Sequence, residues 1–190
     1  MRMIILCALV FALVLGLLGC CKKQVTDTPS TGDTQPDASM EYIWSLTDTN
    51  EFVIAMTAHI AEKAQYGDDV SVLSEAERIF YITQILEMEV NNGGFSQFFY
   101  NSSGDFSNEL VSAFAAIGAH TTASICQKAI DAFGCAIPVD RDERIEMLDE
   151  LESDNINAVL EECDRAFFAY EDDLNELNYN FVMNNKEQFT

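Results

Sequence analysis

Basic residues are scarce in this chain. Ten lysines and arginines stand against 32 aspartates and glutamates in 190 residues, a formal net charge of −22. So acidic a chain repels nucleic acid, which argues against direct nucleic-acid binding. Histidine is scarcer still, with two residues. His59 lies on the border of a helical stripe and His120 in a turn, and neither has a partner at metal-ligand spacing. No His-Glu-x-x-His and no paired Cys-x-x-Cys occurs, so no metal site is expected. No Ser-His-Asp or Cys-His arrangement has a local signature. Asp68-Asp69 and Glu171-Asp172-Asp173 lack the pattern of an EF-hand loop. The chain is therefore expected to be no enzyme and to need no cofactor. Strand alternation with a period of two is missing, and so is any internal repeat.

One long apolar run is present, residues 4–18, behind Arg2. Fifteen residues are short for a spanning helix and right for the core of a signal peptide. The run ends Leu17-Leu18-Gly19-Cys20, which resembles the lipobox of bacterial lipoproteins. Cleavage before Cys20 and a lipid on its sulfur are expected, giving an extracytoplasmic domain anchored to the cell membrane. An uncleaved anchor is the alternative, and the flanks, Arg2 before and Lys22-Lys23 after, do not settle its direction. Residues 21–40 are Thr, Pro, Asp, Ser and Gln with little to bury, so they read as a flexible polar tether. Residues 41–190 read as the acidic folded domain.

That domain is patterned as helices throughout. Val53, Met56, Ile60 and Ala64 share a face at spacings of three and four. Ser74-Glu75-Ala76-Glu77 is a capping box, and the helix it opens carries Ile79, Ile82, Leu86 and Val90. Helices ending at Gly118 and Gly134 follow, the second burying Thr122, Cys126, Ala129 and Phe133. Asp140-Arg141-Asp142-Glu143 opens a helix with Ile145, Leu148 and Leu151 inward. Ile156, Val159 or Leu160, Cys163, Phe167 and Tyr170 form the next stripe, and Leu174, Leu177 and Phe181 the last. The reading is an all-α, compact multi-helix domain of about seven or eight helices. Of the cysteines, Cys126 and Cys163 fall at core-like positions, with Cys135 as a third candidate. A Cys135–Cys163 bridge is easier than Cys126–Cys135, and the spacing establishes neither.

The chain is organised around residues 89–101, Glu-Val-Asn-Asn-Gly-Gly-Phe-Ser-Gln-Phe-Phe-Tyr-Asn. Gly93 and Gly94 allow positive φ, so a helix is expected to stop at about Asn92 and a short one to restart with Phe95, Phe98 and Phe99. Asn91, Asn92, Gln97 and Asn101 either close the hydrogen bonds of this turn or, with Phe95, line a pocket. Glu87 and Glu89 are carboxylates of the kind that serve acid/base work, and Glu89 is expected to brace the turn. This stretch resembles the signature of a bacterial family labelled DNA-mimic protein, C-terminal domain. The resemblance covers residues 44 to 133, including residues 74 to 78 and Ile117-Gly118-Ala119. It implies an all-α domain and, among functions, display of DNA-like charge.

The acids are concentrated. All 32 follow the signal with nine of the ten basic residues, which leaves the mature chain at −23, and residues 140–176 hold 15 acids against Arg141, Arg144 and Arg165. Helical phasing places Asp142, Glu146, Asp149, Glu150, Glu161, Glu162 and Asp164 outward. Asp149, Glu150, Glu161 and Glu162 are the expected contacts for a basic protein partner. Two function classes follow: an anchored acidic domain that captures such a partner, or an envelope lipoprotein that binds a small molecule or cell-wall ligand at the Asn-Asn-Gly-Gly-Phe turn.

Overall fold

Side-chain oxygens start most of the helices in this computed structural model, which describes residues 39–151 and 154–190. Ser39 accepts from the Tyr42 amide and opens α1, Met40–Ser45. Asp48 accepts from the Glu51 amide and opens α2, Thr49–Lys63. Ser74 and Glu77 form the expected reciprocal box ahead of α3, Glu75–Tyr100. Each such bond satisfies an amide that the first helical turn leaves without a partner. A 3-10 helix, Ser102–Glu109, leads into α4, Leu110–Ile117, and α5 is His120–Asp131. Asp140 accepts from the Asp142 and Glu143 amides, both at 3.0 Å, and opens α6, Arg141–Leu151. Helix α7, Asp154–Phe167, and α8, Leu174–Asn184, complete eight α-helices, with no strand among the described residues. The domain is all-α. The signal, Cys20 and the tether up to residue 38 lie outside the described residues, whereas Ser39 and Met40, read from the sequence as the end of the tether, cap and begin α1.

Helix α3 is the axis, packing against α2, α4, α6, α7 and α8, while α5 packs on α4 and α7. Its inward face supplies Phe80, Ile82, Leu86, Val90, Phe95, Phe98 and Phe99, all essentially inaccessible. Val53, Met56, Ile60 and Ala64 are buried from α2, as are Thr122, Cys126, Ala129 and Phe133 along α5. Several stripes differ from the periodic reading. On α6 the buried position is Arg144, with Ile145 and Leu148 half-buried, and Ile79 on α3 and Ile156 on α7 are half-buried too. Tyr170 lies beyond the end of α7 at φ +46°, and its ring is 41% exposed. On α8 the buried positions are Leu174, Asn178 and Val182, while Leu177 and Phe181 are half-buried. An amide occupies the stripe because Thr83, on the inner face of α3, meets Asn178 Oδ1 at 2.8 Å.

The three cysteines of the domain are free thiols. Cys126 and Cys163 are buried in the α5–α7 contact, and burial raises both thiol pKa values. Cys135 is exposed, its sulfur 3.7 Å from Met147 Sδ.

Candidate functional site

The helix carrying the central stretch bends and continues. Helix α3 runs to Tyr100, with non-helical torsions only at Gly93 and Gly94. A stop at the glycines and a restart after them both occur as expected, the two helical halves of α3 meeting at a kink. The two glycines are not equivalent. Gly93 has φ −162° and ψ 19°, outside the left-handed region, whereas Gly94 has φ +80° and ψ −178°. That second combination is essentially restricted to glycine. Gly94 also lets another helix approach: a Cβ there would run into the carboxylate of Asp164. Asp164 Oδ1 accepts from the Phe95 amide at 2.8 Å, capping the restarted half of α3 from α7.

Glu89 closes the bend from the other side. It is 8% exposed and accepts from Gln97 Nε2 at 2.6 Å, Asn101 Nδ2 at 3.0 Å and Ser103 Oγ at 2.8 Å. Three donors satisfy a carboxylate that burial would otherwise penalise. The amides of the stretch are therefore used in several ways. Gln97 and Asn101 hold Glu89, and Asn91 Nδ2 donates to the Tyr170 hydroxyl at 2.7 Å. Asn92 is exposed, and Phe95 is wholly buried, its ring edge-on to Phe167 at 6.1 Å.

Below this bend sits Arg144, which pattern reading counts among the charges of the acidic run. It is 0% exposed. Its Nε donates to the Phe99 carbonyl at 2.7 Å. One terminal nitrogen donates to the Pro138 and Val139 carbonyls, at 3.0 and 2.8 Å. The other reaches the Asn101 carbonyl at 2.8 Å and Asp105 Oδ1 at 2.7 Å. One guanidinium thus ties α6 to the end of α3, the 3-10 helix and the connector before α6. Gly104 makes room for it, since a Cβ there would meet Arg144 Nε at 2.6 Å and the Phe99 carbonyl at 2.8 Å.

The acids divide into two sets. Asp164, taken above as outward, is half-buried because it caps Phe95. Asp172 likewise accepts from the Thr122 amide at 2.7 Å and its hydroxyl at 2.9 Å, capping α5 from fifty residues away. Asp142, Glu146, Asp149, Glu150, Glu161 and Glu162 are exposed. Glu162 meets Lys128 at 2.7 Å and Glu161 lies 3.8 Å from Arg165, both pairs largely solvated. Such pairs contribute little stability.

All seven basic side chains among the described residues engage partners within the domain. Lys63 pairs with buried Glu77 at 2.8 Å. Arg78 holds Glu109 through two nitrogens, at 2.8 and 2.7 Å, with its guanidinium over the Phe106 ring. Arg141 Nε donates to the Tyr100 carbonyl at 3.3 Å, and Lys186 lies 4.3 Å from the Trp44 ring centre. Lys128, Arg144 and Arg165 are placed as above.

Two carboxylates at the α3–α7 seam are shifted. Burial raises the Glu87 pKa, against a hydrogen bond from the Tyr170 hydroxyl at 3.0 Å. Burial raises that of Asp164 too, against its bond to the Phe95 amide. A raised carboxylate pKa costs folding stability above the folded value, and the cost disappears as pH falls through it. Stability is therefore expected to rise as pH falls from neutral towards the ordinary carboxylate range. Denaturant midpoints across that window should rise less in Glu87→Gln. A parallel rise in the variant would remove Glu87 from the account.

No curated protein and no solved structure matches this chain. The model of the DMP19-like protein family matches residues 71–185, starting later and reaching much further than the resemblance read from the signature. The match takes in the kink, the Glu89 hub, Arg144 and the acidic helices α6 and α7, and it is compatible with a DNA-mimic protein. With more than half its length matched, the chain belongs to the DMP19-like protein family.

Proposed function

We propose that this is a membrane-anchored, non-enzymatic binding domain that presents carboxylates to a basic protein partner as duplex DNA presents phosphates. The observation that carries the reading is the division of charge. Every described cation is engaged within the domain, two of them at the surface with Glu161 and Glu162, and Asp142, Glu146, Asp149, Glu150, Glu161 and Glu162 all stay exposed on α6 and α7. Duplex DNA carries one charge per roughly 1.7 Å of axis. Rigid helices with exposed acids on successive turns set up a comparable field, and such a field speeds encounter with a basic surface. The family match supports the charge reading. The alternative, a ligand at the Asn-Asn-Gly-Gly-Phe turn, has less support, because Gln97 and Asn101 are engaged with Glu89 and Phe95 is buried.

The anchor belongs to the same proposal, with the lipid on Cys20 and the domain outside the cytoplasm. Acyl-label incorporation should be lost in Cys20→Ala; undiminished label contradicts it.

Neutralising Asp149, Glu150, Glu161 and Glu162 together, to Asn and Gln, tests the display. The melting temperature should hold, since exposed substitutions of this kind are usually near neutral. Affinity for a basic DNA-binding protein should fall, and its dependence on salt should flatten. Unchanged affinity and an unchanged salt slope would reduce the acidic surface to a solvated one.

A further inference from the structure

Phe168 departs from the burial of the other phenylalanines. Ten of the twelve among the described residues are buried and Phe181 is half-buried, whereas Phe168 is 51% exposed. It keeps a helical position at the end of α7, its amide donating to the Asp164 carbonyl at 2.9 Å. Two residues on, Tyr170 is held in the left-handed region, at φ +46°, where a non-glycine residue is uncommon. Its hydroxyl donates to Glu87 at 3.0 Å and accepts from Asn91 Nδ2 at 2.7 Å, and its ring lies edge-on to Phe167 at 5.7 Å. The ring is thus pinned at the surface of the α3–α7 seam. Strain of this kind persists only where the surroundings enforce it, and it collects at functional sites. On α3, Met88 is 47% exposed and lies one helical turn before Asn91, the residue that touches Tyr170. A thioether and two rings therefore meet solvent along one seam.

Carboxylates flank them. Glu161 is on the line of α7 that leads to Phe168, about 10 Å earlier at the helical rise, and Glu171 and Asp173 follow in the connector to α8, all three exposed. Arg165, the one cation of α7, lies 3.8 Å from Glu161 and leaves the carboxylates in surplus. Exposed charges by themselves make weak contacts that salt screens. Interfaces draw salt-resistant affinity from a few large apolar anchors set among polar residues. We propose that Met88, Phe168 and Tyr170 are the apolar anchor of the acidic display, on which a basic protein partner seats bulky apolar side chains carried between its cations; this rests on the charge reading above. The partner segment needs both parts. Its lysines or arginines meet Glu161, Glu171 and Asp173, and the apolar side chain between them covers the rings. The Tyr170 ring is already fixed by Glu87 and Asn91, so ordering it costs the complex little.

The probes are two synthetic peptides of equal length and equal positive charge, one interspersing its lysines with leucines and the other with alanines. The full chain should bind the leucine peptide roughly 10-fold more tightly, at low and at high salt alike, as an anchor of this kind provides. In Met88→Ala/Phe168→Ala that preference should vanish while the salt slope stays. With Asp149, Glu150, Glu161 and Glu162 neutralised, the slope should flatten while the preference stays. Phe168→Leu should keep most of the preference. Melting temperatures should hold throughout, since the substituted residues are exposed. Equal affinity of the parent for the two peptides, or a preference that survives in the double variant, would overturn the anchor and leave the charge display standing. A parent that binds neither peptide at low salt would overturn the charge display and the anchor with it. If the double variant does not fold, Phe168→Ala takes its place, and the parent's comparison of the two peptides still decides.

Discussion

Arg144→Ala is expected to lose about 3 kcal/mol or more of folding stability, because several carbonyls lose their donor together and a buried polar group left unsatisfied costs about 1 to 3 kcal/mol. The loss should exceed that of Asp105→Asn. Arg144 is fully buried, whereas the Asp105 side chain is 41% exposed. Asp105 is also one of five acceptors. The other four are carbonyls of Phe99, Asn101, Pro138 and Val139, which lose their shared donor together once the guanidinium is gone. Lysine is not a substitute, since one ammonium cannot reproduce the planar fork that reaches three segments. Denaturant midpoints for Arg144→Ala, Arg144→Lys and Asp105→Asn check the order. If Asp105→Asn costs as much as Arg144→Ala, the ion pair and not the carbonyl cross-link holds α6.

Gly94→Ala is expected to cost at least about 2 kcal/mol, within the range for a non-glycine residue forced into such torsions. The new Cβ also displaces Asp164, so the Phe95 amide loses its cap in the same step. Gly93→Ala should cost less, about 1 kcal/mol, the worth of one hydrogen bond. Its backbone is outside the left-handed region, and the Cβ meets only the Gln97 side chain, which can move at the expense of its bond to Glu89. In the Asp164→Ala background the penalty of Gly94→Ala should shrink, because the displaced carboxylate is absent. Melting temperatures of the parent, Gly93→Ala, Gly94→Ala, Asp164→Ala and the Gly94→Ala/Asp164→Ala double variant give the comparison. Equal penalties at the two glycines would contradict the assignment of the strained torsion to Gly94.

The parts of this fold that follow from local spacing were legible in the sequence. Val53, Met56, Ile60 and Ala64, and Thr122, Cys126, Ala129 and Phe133, are buried because helical period puts them on one side. Ser74 and Glu77 form their box because a span of three residues is all it needs. What was hidden depends on partners far along the chain. Asp164 caps an amide 69 positions away, and Asp172 one 50 positions away, so both read as members of an acidic run. Arg144 sits among aspartates and glutamates like a solvated charge, and the carbonyls that need it carry no sequence signal. Asn178 breaks an apolar stripe because Thr83 faces it across the core. At the central stretch the sequence announced a sharp bend but left open which glycine takes positive φ. Torsions and the position of Asp164 decide for Gly94.

The charge display is tested most directly by competition with the molecule it would imitate. A basic DNA-binding protein is held on labelled duplex DNA, and the full chain is titrated in at several salt concentrations. The chain is expected to release the DNA at low salt without binding it, and its binding to the basic protein alone, measured without DNA, is expected to weaken steeply as salt rises. No release while the basic protein stays on its duplex at low salt, or direct binding to the basic protein that is indifferent to salt, would contradict the charge display.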